Sequence, residues 1–375
     1  MKQYKFVDLF AGCGGLSLGL QQAGFTPWFV NEIVEQFCNT YKFNHDLSDD
    51  HYFVGDIAEL NLHLEEYKDM LSDITLVCGG PPCQGFSMAN RQRILDDPRN
   101  ALYKQYLIFL KNTRPKFFIM ENVKGMMNKI EEIKQNFEEY LGGEYQYDYA
   151  LLKAQDYGVP QNRERFIMIG NRVDIEPKSI FEEIFEHKRK PFILKDALEG
   201  LPHLVAKKEK GAKDVECAES GFTECDFSYI KNDFYKFING DREITKLYNH
   251  KNRYNNERDI EIYRRLPQGA NSLHESIADI MPYKRRNDIF KDKYFKLDET
   301  QICKTITSHM KFDCNMYIHP WDARGLSPRE AARIQTFPDD YVITGSQNMW
   351  YAQVGNAVPV KLAKAIGDGI MKFIK

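Results

Sequence analysis

Cys83 is the residue whose type and setting best suit covalent chemistry. It lies in the segment 79–87, which reads GGPPCQGFS and follows an apolar run that ends at Cys78. The two prolines and the flanking glycines predict a stiff bend, and a thiol just beyond such a bend can be exposed and reactive. An unreactive loop cysteine is the alternative, and the loop by itself favours neither.

A carboxyl group follows the next apolar run along the chain. Glu121 comes directly after Phe117–Met120, and a nucleophilic thiol with a carboxyl group near it suggests covalent catalysis with acid assistance. The segment 161–165, QNRER, precedes a further apolar run and supplies Arg163 and Arg165. These arginines could reach a thiolate, a substrate or a phosphate group, or they could form ion pairs on the surface.

A second set of residues indicates a nucleotide-type ligand. The apolar run Phe6–Phe10 leads directly into Ala11-Gly12-Cys13-Gly14-Gly15, and glycines in such a turn let a ligand approach the backbone closely. The spacing is not G-x-G-x-x-G, so the pyrophosphate of a dinucleotide is not the expected ligand. Glu32 follows the apolar run Trp28–Val30 and could accept hydrogen bonds from two ribose hydroxyls. Asp56 could bind an amino group of the same ligand.

These residues need a scaffold that brings them to one edge. The apolar runs at 5–10, 74–78, 117–120 and 166–169 suit strands that are buried on both faces of a parallel sheet, and amphipathic stretches such as Tyr103–Leu110 lie between them. That alternation predicts a doubly wound α/β domain over residues 1–177. Ligands of such sheets bind beyond the carboxyl ends of the strands, where the sequence places Gly12, Glu32, Asp56, Cys83 and Glu121.

The regular pattern ends near residue 178. From 178 to 312 charged and aromatic residues mix without a period, which predicts a smaller and irregular domain. Order returns at Ser327-Pro328-Arg329-Glu330, which has the features of a helix start with a capping box. The segment 313–375 is expected to return to the first domain, because the apolar residues from 360 to 374 have helical spacing and need a surface to pack on.

Composition is typical of an ordinary globular protein, and the cysteines are expected to be reduced thiols in a cytoplasm. Hydrophobic residues make up 43% and charged residues 28%, and the sequence contains neither a run of about 18 apolar residues nor the features of a secretory signal. The 8 cysteines form no C-x-x-C pair, so we expect neither a zinc site nor disulfides.

The charge distribution is more informative than the net charge of −3. Residues 226–312 carry 17 Lys and Arg against 13 Asp and Glu, and Lys284-Arg285-Arg286 is a dense point within them. This basic excess is compatible with a solvated surface or with a patch that faces phosphates.

The order of the motifs gives the most specific indication. Six segments stand out: Phe6–Gly15, Pro81–Gln84, Glu121–Val123, Gln161–Arg165, Arg324–Tyr341 and Gln353–Pro359. In this order, with a variable region between Arg165 and Arg324, the chain resembles the DNA cytosine-5 methyltransferases of bacterial and phage restriction-modification systems. The resemblance implies a Rossmann-like doubly wound domain dependent on S-adenosyl-methionine, and a smaller target-recognition domain at 178–312. It also implies that the C-terminal helix completes the catalytic domain.

The resemblance also assigns roles to individual positions. Cys83 matches the nucleophile, Glu121 matches the acid that holds the cytosine ring at N3 and its amino group, and Arg163 and Arg165 match a pair near the active site. The positions that match cofactor contacts are Phe10, Ala11, Gly12, Gly14, Gly15, Glu32, Ile33, Asp56, Ile57, Pro82, Leu102, Asn356 and Ala357. Ile33 stands where the family often has an aromatic residue. The positions that match substrate contacts are Gln84, Ser87, Arg99 and Asn122, with Arg99 on a loop that closes over DNA.

The reaction and the partners follow from the same resemblance. Cys83 is expected to add to C6 of a flipped-out cytosine, whose C5 then takes the methyl group and leaves S-adenosyl-homocysteine as the product. The resemblance further implies double-stranded DNA as the partner, no metal, a monomer in the bacterial cytoplasm or nucleoid, and a companion restriction endonuclease that acts on the same DNA sequence.

Other functions share part of this pattern. A tRNA cytosine-5 methyltransferase of similar fold has most of the motifs, but its Cys-Phe-Thr tripeptide is absent here, where the nearest string is Gly221-Phe222-Thr223. An inactive regulatory homologue would have lost the cysteine or the acid, whereas Cys83 and Glu121 are both present. Methyltransferases that act on the amino nitrogen of adenine or cytosine carry an Asn/Asp/Ser-Pro-Pro-aromatic motif, and here a cysteine follows the two prolines.

Overall fold

The computed structural model describes residues 3–82, 101–208, 216–282 and 293–374. Cys83, Gln84, Ser87 and Arg99 of the predicted site lie outside these ranges, and so does the basic run 284–286. The chain divides into two compact units. The first comprises Met1–Tyr157, Glu164–Arg189 and Val358–Lys375, and the second comprises Gly158–Arg163 and Lys190–Ala357.

The first unit is built on a seven-stranded sheet with the order β3-β2-β1-β4-β5-β7-β6. The strands are β1 (Lys5–Leu9), β2 (Thr26–Glu32), β3 (Tyr52–Val54), β4 (Leu76–Gly79), β5 (Phe117–Val123), β6 (Gln146–Lys153) and β7 (Glu164–Asn171). Strands β1 to β5 pair in parallel, whereas β7 is antiparallel to both β5 and β6. The predicted α/β sheet is confirmed, but it is mixed, and the parallel orientation predicted for the run 166–169 is wrong.

A continuous apolar run indicates burial, and it carries no information on strand direction. Residues 166–169 of β7 are fully buried, as their run predicts. The connection from β6 to β7 consists only of residues 154–163, which is too short for the helical crossover that a parallel pair requires. The two strands therefore pair antiparallel. β6 itself is an edge strand in which only Leu152 is fully buried, and the sequence analysis did not predict it.

The helices alternate with the strands in the first half of the chain. They are α1 (Gly15–Ala23), α2 (Glu35–Asn44), α3 (Ile57–Leu62), α4 (Ala101–Thr113), α5 (Ile130–Leu141), α6 (Pro177–Glu186), α7 (Leu194–Leu198), α8 (Asp233–Asn239), α9 (Glu257–Arg265), α10 (Pro328–Ile334), α11 (Gln347–Asn356) and α12 (Val360–Met371). Helices α1 to α6 and α12 belong to the first unit, and α7 to α11 belong to the second. Within the described ranges, no helix is long and apolar enough to cross a membrane.

The last helix, α12, packs against α1 and α6. A Cβ at Gly19 of α1 would lie 2.3 Å from the Cβ of Ala363, and one at Gly369 would lie 2.4 Å from Ile184 of α6. Both contacts therefore need glycine, because only a residue without a Cβ lets the backbones approach so closely. The apolar face of the C-terminal segment is buried in this way within the first unit.

The second unit has a small sheet and a core that is rich in polar residues. Its strands β8 (Gly221–Asp226) and β9 (Lys246–Lys251) form an antiparallel pair. The predicted capping box at the start of α10 is confirmed, because Ser327 accepts a hydrogen bond from the Glu330 backbone and Glu330 accepts one from the Ser327 backbone. The largest fully buried side chains of the described residues include four arginines of this unit, Arg163, Arg324, Arg329 and Arg333.

The two units do not coincide with the ranges expected from the sequence. Residues 178–189 belong to the first unit, and residues 313–357 belong to the second. The sequence pattern changes at 178 because the regular alternation of strands and helices ends there. Helix α6 nevertheless still packs within the first unit. The assignment of DNA recognition to 178–312 stays a prediction.

Candidate active site

The predicted site residues of the first unit lie along the carboxyl edge of the parallel strands. In sheet order this edge presents Asp56 after β3, Glu32 at the end of β2, Gly12 after β1, Pro82 after β4 and Glu121 in the last part of β5. β1 and β4 are neighbours, but the strands that follow them in the chain, β2 and β5, lie on opposite flanks of this pair. Ligands of doubly wound sheets bind in the crevice beyond the strand ends at such a switch point.

The turn after β1 has an unusual backbone. The φ angle is 58° at both Phe10 and Gly12 and 85° at Gly14, which is the left-handed region where side chains are disfavoured. No heavy atom lies within 4 Å of a Cβ built on Gly12, so conformation rather than lack of space requires the glycine. The Ala11 backbone donates a 3.1 Å hydrogen bond to Asn31 O of β2, Gly14 caps α1, and Gly15 is its first residue.

Glu32 is bonded to this turn. Its Oε2 accepts a 2.7 Å hydrogen bond from the Gly12 backbone, and its Oε1 accepts a 2.8 Å hydrogen bond from the Val34 backbone. Burial raises the pKa of the Glu32 carboxyl, while these backbone donors lower it. Each carboxylate oxygen has a further lone pair, so Glu32 can still accept hydrogen bonds from the hydroxyls of a ligand.

Exposed apolar side chains lie beside Glu32. Ile33 is 63% exposed, and Val54, which is opposite Glu32 in the β2–β3 register, is 44% exposed. Large apolar side chains that stay exposed at a strand end suit the flat face of a ligand ring. The sequence analysis named Ile33 and missed Val54. The register between β2 and β3 is what reveals Val54, and the sequence alone does not show it.

The remaining predicted cofactor positions of this unit differ in what they can offer. Asp56 caps α3, and its Oδ1 accepts a 2.8 Å hydrogen bond from the Ala58 backbone. The Ile57 side chain is buried in the apolar core of the sheet, so only its backbone could face a ligand. Phe10 and Leu102 are partly buried against the same core.

Glu121 and Arg165 form an ion pair between neighbouring strands. Glu121 Oε1 lies 2.6 Å from Arg165 Nε, and each side chain is 13% exposed. The antiparallel pairing of β5 with β7 brings the two together, because Arg165 is opposite Val123, two residues beyond Glu121. Burial lowers the pKa of the Arg165 guanidinium, and the charge of Glu121 opposes this effect.

The loop that leads to Cys83 lies directly against Glu121. A Cβ at Gly80 would be 2.7 Å from Glu121 Oε2, so no side chain fits there. The Asn122 side chain donates a 2.9 Å hydrogen bond to Pro81 O. Pro82, the last described residue before Cys83, is exposed. The structure thus brings Glu121, Asn122, Arg165 and the segment 80–82 together.

Arg163 has entirely different surroundings from Arg165. It is 1% exposed, and its guanidinium donates to backbone carbonyls of the second unit, namely Ile306 O at 2.6 Å, Gly355 O at 3.3 Å, Asn356 O at 3.4 Å and Ala357 O at 2.9 Å. The sequence grouped the two arginines as a pair near one site. The contacts of Arg163 hold the backbone at the end of α11, whereas those of Arg165 orient a carboxylate.

Gln335 joins the same network, and the sequence analysis did not single it out. Its amide donates to Val354 O at 2.8 Å and to Ala357 O at 3.2 Å, and its oxygen accepts a 2.5 Å hydrogen bond from Gln161. Gln335 is fully buried directly after α10, and no feature of the sequence alone marks it. At the end of α11, Asn356 is exposed and Ala357 is buried.

Comparisons with known proteins agree with the motifs. The family model described as C-5 cytosine-specific DNA methylase matches residues 4–372. The chain is 30% identical to the Type II methyltransferase M.DdeI of Desulfomicrobium norvegicum, over 98% of this chain and 89% of the relative. It is 32% identical to the Type II methyltransferase M1.HphI of Haemophilus parahaemolyticus, over 98% of this chain and 87% of the relative.

A solved structure shows the same fold across the whole length. It is that of an inferred DNA modification methyltransferase encoded within a prophage of E. coli, with a TM-score of 0.76 and 27% identity over 99% of both chains. The family model spans nearly the entire sequence. The chain therefore belongs to the family of C-5 cytosine-specific DNA methylases.

Proposed function

We propose that this methylase transfers a methyl group from S-adenosyl-methionine to C5 of a flipped-out cytosine in a specific sequence of duplex DNA, through a covalent bond between Cys83 Sγ and C6. The observation that carries the proposal is the order of residues along the sheet edge. Asp56, Glu32 and Gly12 lie on the β1 side of the switch point, and Pro82 and Glu121 lie on the β4 side. A cofactor and a target base can therefore meet where these halves adjoin.

The residues on the β1 side fit S-adenosyl-methionine. Glu32 has lone pairs for the two ribose hydroxyls, the space at Gly12 is open, and the exposed Ile33 can pack on an adenine ring. Asp56 offers a carboxylate to an amino group. The cofactor, when bound, supplies a methyl group that its positively charged sulfur activates toward nucleophilic attack.

The residues on the β4 side fit activation of cytosine. C5 of cytosine is a weak nucleophile, and addition of the Cys83 thiolate at C6 makes it electron-rich. Glu121 Oε1 is engaged by Arg165, whereas Oε2 faces Gly80 and the loop to Cys83. Glu121 then binds or protonates N3 of the ring and stabilises the charge that develops there. A base removes the C5 proton after methyl transfer, and Cys83 leaves.

A base inside a duplex cannot reach these groups, so the target must leave the helix. The loop 87–100, with Arg99, is proposed to close over DNA, and the basic excess of 226–312 is proposed to contact phosphates and read bases. The two relatives are named Type II methyltransferases. We therefore place this chain in a restriction-modification system, as a monomer in a bacterial cytoplasm beside an endonuclease for the same sequence.

Labelled S-adenosyl-methionine tests the substrate class. Incubation with duplex DNA of mixed sequence is expected to label the DNA, and incubation with tRNA is expected to give no label. Label in tRNA alone would contradict the proposal and favour the tRNA methyltransferase. Bisulfite sequencing of DNA from cells that express the protein would then give the recognition sequence.

A substitution tests the nucleophile. Cys83→Ser is expected to retain binding of S-adenosyl-methionine and to lose turnover, because a serine hydroxyl is a far weaker nucleophile than a thiolate. Methylation at the normal rate by this variant would overturn the assignment of Cys83.

A further inference from the structure

A buried carboxyl group lies beneath the turn after β1 and has no role in the reaction described above. Asp8 lies on β1, two residues before Phe10, and is 1% exposed. Ser17 of α1 donates a 2.5 Å hydrogen bond to Asp8 Oδ2, and Tyr41 of α2 donates a 2.7 Å hydrogen bond to Ser17 Oγ. The Cys78 thiol of β4 donates to the same carboxyl. Asp8 thereby links the strand, the helix after the turn and the strand that leads toward Cys83.

The described groups around Asp8 carry no positive charge. Among the residues the structure describes, no Lys, Arg or His forms an ion pair with it. The titratable groups that influence it are Cys78 of β4, Glu32 of β2, Cys13 of the turn and Tyr106 of α4, and Tyr41 of α2 reaches it through Ser17. Each of these is neutral or negative. A buried carboxylate without a cation is costly, which makes its ionisation sensitive to any cation that arrives.

The ionisation of Asp8 is poised near neutral pH. Burial raises the pKa of the Asp8 carboxyl to about 7, although hydrogen bonds from Ser17 and Cys78 lower it, and the negative charge of Glu32 raises it further. Glu32 is itself hydrogen-bonded to Gly12 of the turn. A negative charge at the turn therefore already raises the pKa of Asp8, and a positive charge at the same place must lower it.

We propose that Asp8 is a positioning residue that distinguishes the cofactor, whose sulfur is positively charged, from the product, whose sulfur is uncharged. S-adenosyl-methionine at the turn drives the Asp8 carboxyl to release its proton, and S-adenosyl-homocysteine does not. This rests on the proposed use of S-adenosyl-methionine. The cofactor carries a positive charge on sulfur, and the product carries a neutral thioether. Ionised Asp8 attracts only the first, so it favours cofactor binding and product release. By linkage, a higher pH strengthens the preference for the cofactor.

The size of the effect follows from ordinary electrostatics. A charge within about 10 Å of a carboxyl group, in protein surroundings, lowers its pKa by roughly one unit. For Asp8 this shift corresponds to a preference for the cofactor that is roughly tenfold greater when the group is ionised. The released proton passes to the buffer, and no bond other than the carboxyl O–H is broken.

Titration calorimetry on the unmodified protein tests the proposal. Each ligand is titrated at pH 6.5 in two buffers that differ in ionisation enthalpy, which gives the number of protons released on binding. At this pH the α-amino groups of both ligands are protonated and cancel in the comparison. S-adenosyl-methionine is expected to release about half a proton more than S-adenosyl-homocysteine. Equal release would overturn the proposal, and absence of binding by both ligands would overturn the proposed cofactor as well.

Two variants identify the group that loses the proton. Asp8→Asn has the same shape but cannot titrate, so the extra release is expected to vanish and the preference for the cofactor at pH 8 to fall roughly tenfold. Glu32 also has a raised pKa and is the alternative source. An extra release that survives in Asp8→Asn would assign the proton to another group and contradict the role of Asp8.

Ser17→Ala is the matched control. It removes a hydrogen bond that favours the ionised form of Asp8, so the pKa of Asp8 rises and the extra proton release is expected to persist at higher pH than in the natural protein. A merely structural role of the network predicts that both variants bind both ligands more weakly. It also predicts that the two ligands release equal numbers of protons on binding. That outcome would also contradict the proposal.

Discussion

The two compact units bury different kinds of residue. The core of the first consists mainly of aliphatic and aromatic side chains from β1, β4, β5 and β7 and from the helices that cover them. The second contains Arg163, Arg324, Arg329 and Arg333, all nearly inaccessible to solvent and bonded to backbone carbonyls or to carboxylates. The first unit holds its proposed reactive groups at a sheet edge, whereas the second is specified by polar contacts inside its core. A single polar change should therefore affect chemistry in the first unit and folding in the second.

The largest effect is expected from Glu121→Gln. Glutamine keeps the shape of the side chain and an oxygen that Arg165 can bind. Its amide has no acidic proton to give to N3 of the target cytosine. We expect the rate of methylation to fall by roughly 10²–10⁴-fold, with cofactor binding retained. The measurement is single-turnover transfer of labelled methyl groups to DNA. Activity within about twofold of the natural protein would remove Glu121 from the reaction.

A large effect on stability is expected from Arg324→Met. Arg324 forms two 2.8 Å hydrogen bonds with Glu330, and both side chains are at most 2% exposed. Although burial opposes it, Arg324 and His319 keep the pKa of Glu330 well below its ordinary value. Removal of Arg324 leaves a buried carboxylate without its main partner and should cost about 3–5 kcal/mol, measured by urea unfolding.

An exposed ion pair of the same unit is the matched control. Lys231 and Glu243 lie 2.9 Å apart with side chains that are 54% and 74% exposed, and Lys231→Met should leave the unfolding free energy nearly unchanged. The double variant Arg324→Met with Glu330→Gln should recover part of the loss. Similar costs for Arg324→Met and Lys231→Met would contradict the claim that buried polar contacts specify the second unit.

A smaller effect is expected from protonation of His250. Its two ring nitrogens bond Ser327 Oγ and Pro202 O, both at 2.9 Å, and burial lowers its pKa to about 4. The unfolded chain binds a proton at the ordinary pKa of 6.5, so this histidine destabilises the fold as the pH falls from 6.5 to 4, by about 3 kcal/mol in total. Above pH 6.5 it has no such effect.

His250→Asn isolates this contribution, because asparagine cannot be protonated in that range. We expect the stability of the variant to fall less steeply than that of the natural protein between pH 6.5 and 4, measured by thermal unfolding at each pH. Parallel pH profiles would show that the imidazole remains accessible to protons without a cost, and would contradict its role as a buried neutral group.

The predictability of the two units differs for the same physical reason. Strands β1, β4 and β5 were predicted because a strand buried on both faces must be a continuous apolar run. The edge strand β6 was missed although Tyr149–Leu152 is apolar, because a run of four residues does not by itself distinguish a strand from a helix. The direction of β7 was wrong because burial does not encode direction. In the second unit the capping box at Ser327 was predicted, because it is a local pattern.

The site shows the same limit. Glu32, Asp56 and Glu121 were predicted at one edge because their strands end together, and the structure places them there. The separate surroundings of Arg163 and Arg165 could not be predicted, because they depend on carbonyls at 306 and 355–357 that are distant in the sequence. Val54 and Gln335 were missed for the same reason, since register and buried hydrogen bonds are properties of the folded chain.

The central claim is that Cys83 forms a covalent bond with the target cytosine. It is tested most directly by incubating the protein and S-adenosyl-methionine with duplex DNA of mixed sequence in which 5-fluorocytosine replaces every cytosine, so that the recognition sequence need not be known. Fluorine at C5 cannot leave as a proton does, so the adduct should persist as a protein–DNA species on a denaturing gel, with the DNA attached to the peptide that contains Cys83. Cys83→Ser should form none. Absence of the species with the natural protein, in a preparation that methylates ordinary DNA, or its formation by Cys83→Ser, would contradict the account.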